Sequence, residues 1–353
     1  DKRDQIALLT GSMKKSERDS ILDRLASGEI ELLIGTHALI QDGVEFKSLA
    51  LAIVDEQHRF GVHQRRLLKT KGLSPHLLVM TATPIPRSLS MTLYGDLDIS
   101  IVKTMPKGRI PITTKVTWES KRRQVIEFVK KQLESGRQAY VVLPLVEESE
   151  KIDLRDAISE HVQLQSDLKE FAVGLIHGKM KADEKEVTME KFRKGELQVL
   201  VSTTVIEVGV DVPNANLILV VHAERFGLSQ LHQLRGRVGR GRYKSYCVLM
   251  LGKAVSDEAR ERVMIMEKSS NGFEIADKDL EIRGPGDFLG TRQSGLEGFK
   301  MANLVRDIDI LVEARRAAQD VIERDVDLKS PENQMLRDEL SRVDGRLALV
   351  TSG

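Results

Sequence analysis

The sequence predicts an α/β protein, with two parallel sheets flanked by helices and then a smaller helical module. Three observations lead there. Short β-branched or Leu-rich runs alternate with amphipathic stretches, the pattern of parallel βαβ units with both sheet faces covered. Pro and Gly concentrate in Met105-Pro106-Lys107-Gly108-Arg109-Ile110-Pro111 between two such series, which reads as a linker. After about Ala254 the strand-like runs stop and the chain turns helical, with a Gly-rich interruption from Arg283 to Gly298.

In the first series the expected strands are Ile6 to Leu9, Glu31 to Ile34, Leu49 to Val54 and His76 to Met80. In the second they are Ile112 to Val116, Ala139 to Leu143, Phe171 to Ile176, Gln198 to Val201, Leu217 to Val221 and Ser245 to Leu251. Helical patterns fill the intervals. There is neither a repeat of fixed period nor a low-complexity tract.

Composition bounds the class. A chain of 353 residues exceeds one ordinary core, at about 100 to 200 residues per domain. With 41% hydrophobic and 30% charged residues it reads as globular, neither disordered nor fibrous. The net charge of +1, from 54 Lys and Arg against 53 Asp and Glu, provides no global basic field, so nucleic-acid contacts must come from local patches. Apolar stretches such as Leu49 to Val54 and Leu217 to Val221 fall far short of the roughly 20 residues that span a bilayer, so no membrane partner is expected. The opening Asp1-Lys2-Arg3-Asp4 has no Met and no signal core, and the chain is expected to begin within a domain. Cys247, in the apolar run Tyr246 to Met250, reads as an inert core thiol, which suits a reducing compartment.

The chemistry concentrates at strand ends. Leu49 to Val54 runs into Asp55 and Glu56, and carboxyl ends of strands are where open α/β sheets bind ligands. Asp55 can hold Mg²⁺, and Glu56 can polarise a water that attacks a γ-phosphate. Thr81-Ala82-Thr83-Pro84 follows the next strand; alone it would be a common helix entry. Val201 is followed by Ser202, Thr203 and Thr204, and then by Gly209-Val210-Asp211, hydroxyls suited to phosphate and an Asp suited to a ribose hydroxyl. Gln233-Leu234-Arg235-Gly236-Arg237-Val238-Gly239-Arg240-Gly241 is the most specific signal. If that segment runs off a helix, Arg237 and Arg240 share a face and reach one anion, and a guanidinium acting as an arginine finger is worth about 10³ to 10⁵ in phosphoryl transfer. The plain alternative for it is a basic loop on a nucleic-acid backbone.

Taken together, Asp55-Glu56-Gln57-His58, Thr81-Ala82-Thr83, Ser202-Thr203-Thr204 with Gly209-x-Asp211, and Gln233-x-x-Gly236-Arg237-x-Gly239-Arg240 resemble, in order, motifs II, III, V and VI of superfamily 2 helicases. Leu9-Thr10-Gly11-Ser12 and Gly35-Thr36-His37 resemble motifs Ib and Ic, and His177-Gly178-Lys179-Met180 resembles a short motif of the second domain. The tail from Asn271 to Gly295 is similar to a helical hairpin and loop shared by RecG-type helicases and the transcription-repair coupling translocases. Gly290-Thr291-Arg292-Gln293 and Asn303-Leu304 with Arg306-Asp307 resemble the RecG type more closely.

That resemblance implies the back part of a first RecA-like domain over residues 1–106, a complete second one over 107–254 with a nucleotide cleft between the two sheets, and a helical translocation module over 255–353. It implies ATP and Mg²⁺ as cofactors and branched or forked DNA as partner, in a monomer of the bacterial cytoplasm, near the nucleoid. It assigns catalysis to Asp55, Glu56, Gln233, Arg237 and Arg240, with Asp55 as the Mg²⁺ ligand, and ATP binding to Gly209, Asp211 and the same two arginines. Coupling falls to His58, Thr81, Thr83, Arg262, Arg283 and Gln293, and DNA contact to Thr10, Gly11, Thr36, His37, Thr203 and Thr204. Aromatic residues are only 4%, which favours phosphate contacts over base stacking. The sequence departs from the family in having no Gly-x-x-x-x-Gly-Lys-[Ser/Thr]: Gly178-Lys179 and Gly252-Lys253 lack the upstream Gly, and Met180 and Ala254 occupy their hydroxyl positions. The chain by itself is therefore expected to be inactive as an ATPase. A translocase of the transcription-repair type and a non-catalytic DNA-binding module stand as the alternatives.

Overall fold

The computed structural model describes residues 2–11, 13–41, 43–56, 67–68, 71–72, 75–82, 98–102, 104, 108–144, 150–203, 211–283 and 306–341. They fall into two compact units, residues 1–83 and 84–353.

The first unit holds strands β1 (Ile6–Leu9), β2 (Leu32–Gly35), β3 (Leu51–Val54) and β4 (His76–Val79), with helix α1 (Lys15–Ser27) between β1 and β2. β1 pairs in parallel with β2, and β3 with β4. α1 ends at Gly28, whose φ of 84° is the left-handed conformation that glycine adopts without a Cβ penalty. Its Leu25 packs with Leu9, Ile30, Ala38 and Val44 in a small core. Alternate strand residues point the other way, and Ile6, Leu8, Leu32, Ile34, Leu51, Ile53 and Leu78 are exposed.

The second unit is built on six parallel strands in the order β5-β10-β9-β6-β8-β7. They are β5 (Thr113–Trp118), β6 (Gln138–Val142), β7 (Val173–Ile176), β8 (Val199–Ser202), β9 (Ala215–Val221) and β10 (Tyr246–Leu251). The period-2 alternation of each strand divides its residues between two cores. Ala139, Val141, Leu217, Leu219, Val248 and Met250 face Val125, Val129 and Leu133 of α2 (Arg122–Glu134) and Leu164 of α3 (Glu150–Asp167). Tyr140, Val142, Ile218, Val220, Cys247 and Leu249 face Phe192 of α4 (Ala182–Arg193) and the leucines of α5 (Leu228–Arg235). α6 (Asp257–Lys268) and α7 (Gly272–Arg283) join this second core through Val263, Met266 and Ile275. The Ser256 hydroxyl accepts from the Ala259 N–H at 3.2 Å, which caps α6. α8 (Ile308–Arg324) follows.

All ten expected strands are present, with ends displaced by no more than two residues. Cys247 is buried, and burial pushes its thiol up to about 12, so it is an inert core group. No helix among the described residues is long and apolar enough to cross a membrane. His58, Thr83, Thr204, Gly209 and Gln293 lie outside the described residues, and Arg283 is described only as the last backbone position of α7.

Candidate functional site

In the first unit, the expected site residues stand at the carboxyl ends of the strands. Asp55 and Glu56 directly follow β3, and the Glu56 N–H donates to Asp55 Oδ1 at 2.9 Å, which orients that carboxylate. Glu56 has φ of 52°, a conformation that costs a residue with a Cβ of order 1 to 3 kcal/mol and that concentrates at functional turns. The Met80 N–H donates to the Val54 carbonyl at 2.8 Å, so the end of β4 and the adjoining Thr81 are drawn beside the Asp55–Glu56 turn. On the other strand pair, Leu9 is in register with Gly35, which sets Thr10 and Gly11 next to Thr36 and His37. A Cβ on Gly35 would lie 2.2 Å from the Leu9 carbonyl oxygen, so this close approach requires glycine.

In the second unit, α5 buries Leu228, Leu231 and Leu234, and the Gly227 N–H donates to Gln230 Oε1 at 3.1 Å to close its first turn. The helix ends at Arg235, two residues after Gln233. Arg237 and Arg240 therefore stand on the turn that follows, and the shared helical face expected for them does not form. The turn brings them together in another way. Gly239 has φ of +81°, and a Cβ there would lie 2.8 Å from Ile112; a Cβ on Gly241 would lie 2.2 Å from the Pro213 carbonyl oxygen. These glycines let the loop press against the Asp211-Val212-Pro213 turn. Arg240 Nε donates to the Gly236 carbonyl at 3.3 Å and lies 3.9 Å from Asp211 Oδ1. So long and exposed an ion pair orients the guanidinium without neutralising it. The buried Tyr140 phenol records the same cluster: burial raises its pKa, Arg237 and Arg240 oppose the rise, and Asp211 adds to it.

Thr203 and His177 close a further strand-end pair. The Thr203 N–H donates to the Ile176 carbonyl at 3.3 Å, and Thr203 Oγ1 and His177 Nδ1 are buried polar atoms with no hydrogen-bond partner among the described residues. Burial holds His177 below the usual histidine range, helped by Lys185 and Lys179. Lys185 Nζ donates to the Gly178 carbonyl at 2.9 Å. Among the described residues no group of three or more His, Cys, Asp or Glu side chains is arranged to hold a metal. A Mg²⁺ ion does not need one, because it commonly takes one or two carboxylates together with substrate phosphates and water, and Asp55 fits that donor set.

Two arginines organise the helices beyond the sheet. Arg262 of α6 donates from Nη2 to the Glu224 carbonyl at 2.7 Å, and Glu224 Oε2 accepts from the Gly252 N–H at 3.2 Å. Arg235 was not singled out by motif reading and is only 4% exposed. Its Nη1 donates to the carbonyls of Met266 at 3.1 Å and Ser269 at 2.8 Å, and its Nη2 to Ser270 at 3.2 Å. Nη2 also lies 3.0 Å from His232 Nδ1. The signal that could have found it is its place at the seventh step after Leu228, on the apolar face of α5.

Parallel sheets flanked by helices, with the helicase-like motifs at their strand ends and turns, place the chain in the class of RecA-like helicase folds of superfamily 2. Sequence profiles agree: residues 3–92 match the DEAD/DEAH box helicase, 120–242 the helicase conserved C-terminal domain, and 269–346 the C-terminal part of domain 3 of the ATP-dependent DNA helicase RecG. The ATP-dependent DNA helicase RecG of Bacillus subtilis is 51% identical over 95% of the chain and 49% of its own length. That of Synechocystis is 51% identical over 92% of the chain and 39% of its own. A solved structure of RecG bound to a three-way DNA junction is 44% identical, with a TM-score of 0.67 over 87% of this chain and 39% of that one. The chain belongs to the RecG family, and it spans about half the length, or less, of these relatives.

Proposed function

We propose that the chain is the motor portion of an ATP-dependent helicase that moves on branched or forked DNA, such as stalled replication forks and Holliday junctions, in recombination and repair. The observation that carries this reading is the strained Glu56 turn, with its own N–H holding Asp55 and with Thr81 drawn alongside, in a chain about half identical to helicases of that name. Residues 1–106 and 107–254 would supply the two parts of the nucleotide site, and 255–353 the part that acts on DNA, within a monomer.

Asp55 would hold Mg²⁺ against the ATP phosphates, and the ion would screen the charge that develops there. Glu56 would orient and deprotonate the attacking water, while Gln233, Arg237 and Arg240 would stabilise charge on the transferred phosphoryl group. Gly209 and Asp211 would meet the nucleotide. Thr10, Gly11, Thr36, His37, Thr203 and Thr204 would meet DNA phosphates. For Thr203 the support is its unpartnered hydroxyl beside His177 and two lysines, surroundings suited to an anion. His58, Thr81, Thr83, Arg262, Arg283 and Gln293 would relay between the two ligands.

The test is ATP hydrolysis with and without forked DNA, in the chain extended to the length of its relatives. DNA-stimulated turnover abolished by Glu56→Gln is expected. Turnover indifferent to DNA, or to Glu56, would overturn the proposal.

A further inference from the structure

We propose that Lys71 is a positioning residue that holds the segment Thr36–His37 in place for DNA and helps to seat it beside the strand that ends in Asp55. The placing of DNA and ATP at those residues rests on the function proposed above. Thr36 caps a 3₁₀ helix, His37–Ile40, which follows β2 directly. The Leu39 N–H donates to the Thr36 carbonyl at 3.0 Å, but so short a helix has little hydrogen bonding of its own. Its position therefore depends on what holds its exit.

The exit is a turn from Gln41 to Val44. The Val44 N–H donates to the Gln41 carbonyl at 3.4 Å, and Gly43 takes φ of 85°, a left-handed value that suits glycine. Lys71 Nζ donates to the carbonyls at both ends of that turn, Gln41 at 3.1 Å and Val44 at 3.0 Å. An ammonium has several donors, so it serves two acceptors at once with charge-assisted bonds. From α1, Arg18 Nη2 donates to Gln41 Oε1 at 3.0 Å. Lys71 is itself firmly placed: its N–H donates to the Leu68 carbonyl at 3.3 Å, and a Cβ on the adjoining Gly72 would lie 2.8 Å from the Leu49 carbonyl oxygen. The turn also straddles the two small cores of the first unit. Val44 is buried in one with Leu9 and Leu25, whereas Ile40 is buried in the other with Val54 and Leu68. Among the described residues no ladder joins β1 and β2 to β3 and β4, so the two strand pairs meet through side chains, and this turn with its lysine is one such meeting point. Val54 immediately precedes Asp55, so the segment and the carboxylate are seated on one apolar cluster.

Two measurements test the clamp and its use separately. In this chain, Lys71→Met keeps the aliphatic stem and removes the donors. Amide exchange should then rise by about tenfold in residues 36–41, 43 and 44 while β1 and β3 keep their protection. Exchange unchanged in that segment, or raised equally throughout the first unit, overturns the clamp. In the chain extended to its relatives' length, Lys71→Met should raise the forked-DNA concentration that half-saturates ATP hydrolysis by about tenfold and leave the DNA-saturated rate within about threefold. A chain that is merely less stable would not show that split. Combined with Thr36→Ala, the two effects on half-saturation should be less than additive, because both act through one segment. Additive losses, or a saturated rate that falls as far as half-saturation rises, overturn the positioning role. If hydrolysis by the unsubstituted extended chain ignores DNA, the functional reading has failed instead, and amide exchange alone decides whether Lys71 holds the turn.

Discussion

The two units are written in the same sequence pattern and buried differently. In β9 of the second unit every residue is buried, and so is every residue of β6. In β3 of the first unit buried and exposed residues alternate, and β1, β2 and β4 likewise turn one apolar face outward. Short apolar runs thus specify parallel strands in both units, and in this chain both faces are covered only in the second. The proposed catalytic carboxylates, Asp55 and Glu56, stand on the unit whose strands leave one apolar face exposed in this chain. The arginine loop stands on the closed one, pressed through Gly239 and Gly241 onto Ile112 and Pro213.

The largest effects should come from the proposed ATP chemistry. The present chain is expected to show no DNA-stimulated ATP hydrolysis, since it contains no phosphate-cradling glycine-lysine loop; turnover above a Glu56→Gln control would refute this. In the extended chain, Arg240→Ala should lower the hydrolysis rate by about 10³ or more and leave DNA affinity within a few-fold. A parallel loss of DNA binding would make the arginine loop a backbone contact instead. Arg283→Ala or Gln293→Ala should spare hydrolysis and collapse fork unwinding, measured as paired rates. Parallel losses would remove that segment from the coupling.

Stability should divide along the same line. Leu219 is fully buried between β9 and its helices, so Leu219→Ala should cost about 2 to 5 kcal/mol in chemical denaturation. Leu8, 57% exposed on β1, should cost less than about 1 kcal/mol for the same substitution. Amides of β3 should also exchange faster than those of β9. Equal costs and equal protection would show that the outward face of the first unit is covered in solution.

Much of this was legible beforehand, for reasons that can be named. The strands were, because parallel strands are short apolar runs with polar or glycine ends; so was the gathering of Thr10 with Thr36 and of Asp55 with Thr81, because such strands end on one edge. The φ of Glu56 was not, since nothing in the local pattern asks a glutamate to adopt a left-handed backbone. The helical face that Arg237 and Arg240 would share if a helix ran on through them does not form, because α5 ends at Arg235 and Gly236, Gly239 and Gly241 within six residues disfavour a continuing helix. Arg235 was overshadowed by the regular Gly-Arg spacing that follows it. Its partners are backbone carbonyls about thirty residues away, and side-chain identity does not encode those.

His232 offers a gentler way to set the two units apart, through pH. It belongs to the second unit, and burial, with Arg235 adding, depresses its imidazole from 6.5 to about 4. A base with a depressed pKa binds its proton less readily when folded than when unfolded. Its neutral form therefore supports the fold fully above about pH 6.5, and that support is lost as the pH falls toward 4. At 1.36 kcal/mol per pKa unit the total is of order 3 kcal/mol, spread over that window. Protonation also abolishes the acceptor that faces Arg235 Nη2 at 3.0 Å and sets two cations side by side. Between pH 6.5 and 4, then, denaturation should find the second unit weakening through this residue, with α6 and α7 loosening alongside it. His232→Gln keeps an acceptor without a titrating proton and should flatten that slope while lowering stability at pH 7 only modestly. An unchanged slope in His232→Gln would show that the acid sensitivity lies elsewhere and that His232 is not the neutral partner of Arg235.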